Sequence, residues 1–91
     1  MILHLGNDCF VRMKSILMIL DYEEAVKNQD TGLFLEGFHK ISVSEAEQPK
    51  AIVVTNEDGE NKMYLSPISS RTLLKRSGKK AMLASLSIED R

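Results

Sequence analysis

The sequence predicts a small α+β domain, with an antiparallel β-sheet covered by two short helices. Three observations carry that prediction. The chain has 91 residues, room for one hydrophobic core and not for two. Its clearest strands, Ala51 to Thr55 and Lys62 to Ser66, flank a single polar turn. A helix signal, Arg71 to Arg76 behind Pro67 and two serines, follows at once.

From the start of the chain, Met1 to Leu5 reads as a strand. Gly6-Asn7-Asp8 is a turn signal, because Gly and Asn tolerate positive φ, and Cys9 to Val11 returns as the second arm of a hairpin. Ser15 to Leu20 is a mostly apolar, β-tolerant run, which predicts a central strand buried on both faces. Asp21 to Asp30 is polar and acidic, a loop or the exposed start of a helix. Asp30 or Thr31 is then placed to cap a short helix on which Leu33, Phe34, Leu35 and Phe38 cluster. Gly32 and Gly37 each weaken that helix by about 1 kcal/mol relative to Ala. Lys40 to Ser44 alternates as a short edge strand does, and Glu45 to Pro49 is a loop.

The segment AIVVT, Ala51 to Thr55, is the clearest strand because β-branched side chains favour the pleated surface. Asn56 to Asn61 forms the polar hairpin turn. In Lys62 to Ser66, Met63 and Leu65 alternate against Tyr64, and Pro67 stops the ladder because it has no N–H to donate. Ser69 or Ser70 caps the second helix, with Ile68, Leu73 and Leu74 toward the sheet and Arg71, Lys75 and Arg76 outward. The domain thus spans residues 1–76. Residues 77–91 form a C-terminal tail, helical if Met82, Leu83, Leu86 and Ile88 act at their helix-like spacing, and otherwise disordered.

Composition narrows the function classes. The apolar share of 43% and charged share of 27% are those of a globular domain, and with no Trp the core is mostly aliphatic. A chain this short buries about 60–65% of its unfolded surface, so a lone monomer is stable by on the order of 5 kcal/mol. Self-association is a ready way to bury more. A single cysteine, Cys9, forms no intrachain disulfide, which fits a cytoplasmic protein. Neither a signal peptide nor a membrane span is expected, the longest apolar run being Ile16 to Leu20.

No catalytic constellation emerges. His4 and Cys9 approach each other across the predicted hairpin, but a thiolate nucleophile also needs an electropositive pocket, and a buried Cys is ordinary in a small core. His4, His39 and Cys9 share no metal-ligand spacing. The five glycines match no phosphate-cradling motif, and the serines of SPISS are read as turn and cap residues. No enzyme, cofactor, metal or small-molecule substrate is expected.

Charge is more informative. The net charge is −1, yet residues 71–80 hold Arg71, Lys75, Arg76, Lys79 and Lys80 with no acid among them. Cations on one helix face bind nucleic-acid phosphates by releasing condensed counterions. The bland reading is a solvated helix end whose cations suit the helix dipole.

Three stretches together resemble the RemB branch of the RemA/RemB-like extracellular-matrix regulatory proteins. They are ILHLGND followed by KSILMILD, then PKAIVVT, then YLSPISSRTLLKR. The resemblance covers residue 1 to about residue 76 and implies a small β-rich domain, a homo-oligomer with a ring as one form, and a role in transcription regulation of biofilm-matrix genes in Gram-positive-type bacteria. It also implies DNA as a partner, since the RemA-like branch carries DNA on a basic ring surface. Part of that surface precedes the strand that AIVVT matches. Here the loop reads Glu45-Ala46-Glu47-Gln48-Pro49, with Lys50 its one cation, and carboxylates repel phosphates. The DNA-contact candidates are therefore Lys50, Arg71, Lys75 and Arg76, with Lys79 and Lys80 extending the charge. The alternative function is a protein-interaction or assembly module that modulates a regulator without binding DNA.

Overall fold

The computed structural model describes residues 1–78 of the chain. Strands β1 (Ile2–Gly6) and β2 (Cys9–Arg12) form an antiparallel hairpin, and a 3-10 turn at Met13–Ser15 leads into β3 (Ile16–Asp21). Helices α1 (Tyr22–Lys27) and α2 (Gln29–Leu35) follow, then β4 (His39–Ser42), β5 (Ala51–Glu57), β6 (Glu60–Ser66) and α3 (Ser70–Ser77). The larger sheet has the order β3-β5-β6-β4.

The α+β class holds, with three corrections to the expected architecture. The β1–β2 hairpin is a separate two-stranded sheet. The four-stranded sheet is mixed, because β4 pairs parallel with β6 while β5 is antiparallel to both β3 and β6. The connection 43–50 turns back past β6 to start β5, so β4 runs opposite to β5 and along β6. Finally, the described residues contain three helices and not two. The extra one is α1, built from the acidic stretch. The Asp21 carboxylate accepts from the Glu24 N–H at 3.0 Å, Glu23 and Glu24 occupy the first turn, and Lys27 the last, each favoured by the helix dipole.

Local caps also differ from expectation at α2. Asn28, one residue past α1, caps it by accepting from the Thr31 N–H at 3.0 Å, so neither Asp30 nor Thr31 does. The helix stops at Leu35, and Phe38 packs on Phe34 from outside it, ring centroids 5.2 Å apart. At α3, Ser69 is the cap, accepting from the Thr72 N–H at 3.2 Å, and Gly78 closes the helix in the left-handed conformation.

Where the chain length predicted one core, the period-two pattern of β5 sends alternate side chains to two apolar clusters, one on each face of the sheet. On one face Ala51 and Val53 join Leu3, Leu5, Val11, Met13, Ile19, Tyr64, Leu73 and Leu74 under the β1–β2 hairpin and α3. On the other, Ile52 and Val54 join Ala25, Leu35 and Met63 under α1 and α2. All of Ala51 to Thr55 is buried. The run Ile16 to Leu20, expected at the centre of the sheet, is instead an edge among the described residues, where β3 pairs with β5 alone. Helices α1 and α3 both pack on β3. Continuous apolarity records that two-sided cover and not a central position.

One hydroxyl ties three elements together. Ser66, fully buried at the end of β6, donates to the Leu5 carbonyl of β1 at 2.7 Å and accepts from the Ile68 N–H before α3 at 3.0 Å. Beside it Gly6 has φ +121, and a Cβ there would stand 3.1 Å from Pro67 Cγ, so glycine is required on both counts. Ser66→Ala strands a buried carbonyl and a partly buried N–H, and about 1–3 kcal/mol of stability should be lost. Urea unfolding of both proteins measures this. An unchanged midpoint would mean the hairpin is held by packing alone.

Candidate nucleic-acid interface

Helix α3 is built to bury one side and show the other. Leu73 and Leu74 enter the core, while Arg71, Lys75 and Arg76 are exposed. None of the three makes a hydrogen bond or ion pair among the described residues, where the only salt bridge is Lys62 with Glu57 at 3.5 Å. Their charge is therefore uncompensated locally. Lys75 and Arg76 also occupy the last turn, where the helix dipole favours cations, so part of their placement serves the helix itself.

Lys50 does not join that face. It lies at the opposite end of α3, sharing a cleft of about 300 Å³ with Ser69, Pro49 and the acidic residues Asp21 and Glu23. These carboxylates lower the potential that Lys50 offers an anion. The acidic loop remains open to solvent, with Glu45 and Glu47 exposed. Lys79 and Lys80, and the helical or disordered tail expected after them, lie outside the described residues.

Two further cations escaped the sequence reading. Arg12 and Lys14 are exposed and line a shallow depression of about 420 Å³ with Met1 and Ile2. Arg12 also lines a second cleft with Glu57 and Asp58, carboxylates that offset its charge toward an anion. The alternation Phe10 out, Val11 in, Arg12 out was the available signal.

The other constellations take shapes unlike reactive sites. His4 pairs across the hairpin with Phe10, and Cys9 stands opposite Gly6 next to the turn. Its ring lies 4.7 Å from that of Phe10. Burial, and then the nearby Glu57 carboxylate, push the Cys9 thiol up, the reverse of what a thiolate nucleophile needs. Among the described residues no group of three or more His, Cys, Asp or Glu side chains is placed to hold a metal. No described helix is long and apolar enough to cross a membrane.

Glu57 instead anchors a polar network. Its Oε2 accepts from Thr55 Oγ1 and from the Tyr64 hydroxyl, both at 2.7 Å. Burial raises its carboxyl, but the bonds from Tyr64 and Thr55 and the charge of Lys62 outweigh this and hold it below its ordinary value. Burial, with the Glu57 hydrogen bond and charge, pushes the Tyr64 hydroxyl up. This network gives the buried polar atoms of Thr55 and Tyr64 their partners, a structural task.

What the structure defines, then, is a small α+β domain with an exposed cationic face on α3. The chain belongs to the extracellular matrix regulatory protein A-like family, whose model matches residues 2–76. It is 36% identical over 76 residues to extracellular matrix regulatory protein B of Bacillus subtilis (strain 168), covering 84% of this chain and 89% of that protein. The family's description is regulatory, in keeping with a molecule that offers a charged surface.

The Glu57 network generates a pH prediction. A carboxyl held down in the folded state stabilises above its ordinary value of 4.5, and that stabilisation is lost as pH falls through the folded value. Glu57→Gln should cost about 1–2 kcal/mol at pH 7, with the gap from wild type narrowing in acid. Unfolding midpoints at pH 7 and pH 3 measure it. A gap that widens in acid would contradict this account of the carboxylate.

Proposed function

We propose that this chain is a DNA-associated regulatory protein that works as a homo-oligomer and touches phosphates through the exposed face of α3. The observation that carries the reading is the exposure of Arg71, Lys75 and Arg76, with no salt bridge among the described residues, on a helix that buries its other side. Lys79 and Lys80 follow directly in the sequence and add to the run of cations. Such contacts position DNA without reading its bases. Each is weak alone, and an oligomer that repeats the helix on every subunit, as a closed ring does, adds them through multivalency. Exposed Val26, Leu33 and Phe34 on α1 and α2 supply apolar surface for self-association.

The same apolar residues, with the acidic loop of Glu45 and Glu47, favour a second reading. In it the domain binds a protein partner and modulates a regulator without touching DNA.

The double substitution Lys75→Glu with Arg76→Glu separates the two. Both side chains are exposed and unpaired, so fold and assembly mass should be unchanged while duplex DNA binding is abolished. Mobility shift and light scattering on the same samples measure both properties. A wild-type protein that shifts no duplex at about 50 mM salt would leave the interaction module as the function.

A further inference from the structure

The two edges of the larger sheet are unlike one another. Strand β4 is short and carries His39 and Lys40 exposed, the charged kind of edge that resists pairing. Strand β3 holds the run Ile16-Leu17-Met18-Ile19-Leu20, with no charge or proline inside it. Among the described residues it pairs with β5 alone. Helices α1 and α3 both pack on it, so its faces are occupied and its outer line of backbone groups is what stays open. The register shifts at the half-exposed Leu17, and Met18 to Asp21 then run regularly along β5. An apolar edge of this kind is a template for one more strand.

We propose that this strand is β3 of a second copy of the chain, running antiparallel to the first about a two-fold axis at Ile19. The proposal deepens the proposed function by naming one contact between copies. It rests on the homo-oligomer of that reading and not on DNA.

The charges that flank β3 select both the partner and the direction. Arg12 and Lys14 precede the strand, Asp21 closes it, Glu23 and Glu24 follow, and all five are exposed. An antiparallel second copy lays the cationic end of each strand beside the acidic end of the other. A parallel copy would set like charges together, which destabilises a pairing. The apolar pattern fits the same axis. With Ile19 facing its own counterpart, Met18 meets the partner's Leu20, and both residues belong to the α1–α2 side of the sheet. Each sheet face then continues into the same face of the partner, whereas a register one residue off would join opposite faces. At this register Lys14 comes to the level of the partner's Glu24. Because the contact is two-fold, that pairing occurs twice.

Light scattering on the full chain without DNA, at about 50 mM salt so that charge is little screened, tests the contact. Wild type should assemble at micromolar concentration. Leu17→Lys, a charge placed on the open edge, should lower the mass by about half or more. Lys14→Glu should weaken association by about tenfold or more, and Lys14→Glu with Glu24→Lys should restore it. Circular dichroism matching wild type reports an intact fold, and the charge-reversal pair decides the matter if Leu17→Lys does not fold. An assembly that neither single substitution changes would overturn this contact and leave the homo-oligomer standing. A double variant no better than Lys14→Glu would overturn the antiparallel pairing. A wild type that stays monomeric at every concentration would overturn the homo-oligomer as well, and leave the edge to a strand of another protein.

Discussion

Ala51 to Thr55 send side chains to both faces of the sheet, and none of the five reaches water. A strand buried on both faces demands cover on both. In a chain of 91 residues that requirement dictates nearly everything else. The β1–β2 hairpin and α3 close one side and α1 with α2 close the other, each layer supplying only a few large side chains. The cover is thin. Val26, Leu33 and Phe34 stay exposed, and an open groove of about 380 Å³ remains between α1, α2 and the sheet. Apolar surface left in this way is what one expects of a domain that completes itself with further protein, its own or another copy's.

The same constraint places the charge. Because α3 must deliver Leu73 and Leu74 to the core, its remaining positions face outward, and the sequence fills them with Arg71, Lys75 and Arg76. The helix cannot rotate to hide them. Ser69 caps its start, Gly78 ends it, and Ser66 fixes its approach to the sheet. The burial of Leu73 and Leu74 fixes the rotation of α3, so its cationic face is held outward by packing on the opposite side.

Much of this was legible in the residues. The AIVVT strand, its polar turn, the alternation of Met63 and Leu65 against Tyr64, and the outward cations of α3 all follow from short-range periodicity and cap chemistry. What failed was long-range. Periodicity reports how many faces of β3 are covered but not whether a strand lies on each side of it. The parallel pairing of β4 depends on where the connection 43–50 crosses, which no local pattern encodes. The acidic stretch at Asp21 was left open between a loop and the start of a helix, and Asp21 as cap with Glu23 and Glu24 in the first turn is what decides for the helix. Of the candidate cations inside the described region, Arg71, Lys75 and Arg76 were read from a charge run and share α3, whereas Lys50, taken from the resemblance, lies in a cleft with Asp21 and Glu23. The exposed Arg12 and Lys14 were not singled out because neither belongs to a charge run in the sequence.

The central claim is that exposed cations on α3 meet phosphates, and its most direct measure is the salt dependence of DNA affinity. For the wild-type full chain, log affinity should fall linearly with log salt, and Arg71→Ala should lower the slope by about one unit for each phosphate contact removed, alike for unrelated duplex sequences. A slope that Arg71→Ala, Lys75→Ala and Arg76→Ala all leave unchanged would contradict the account and remove α3 as the interface.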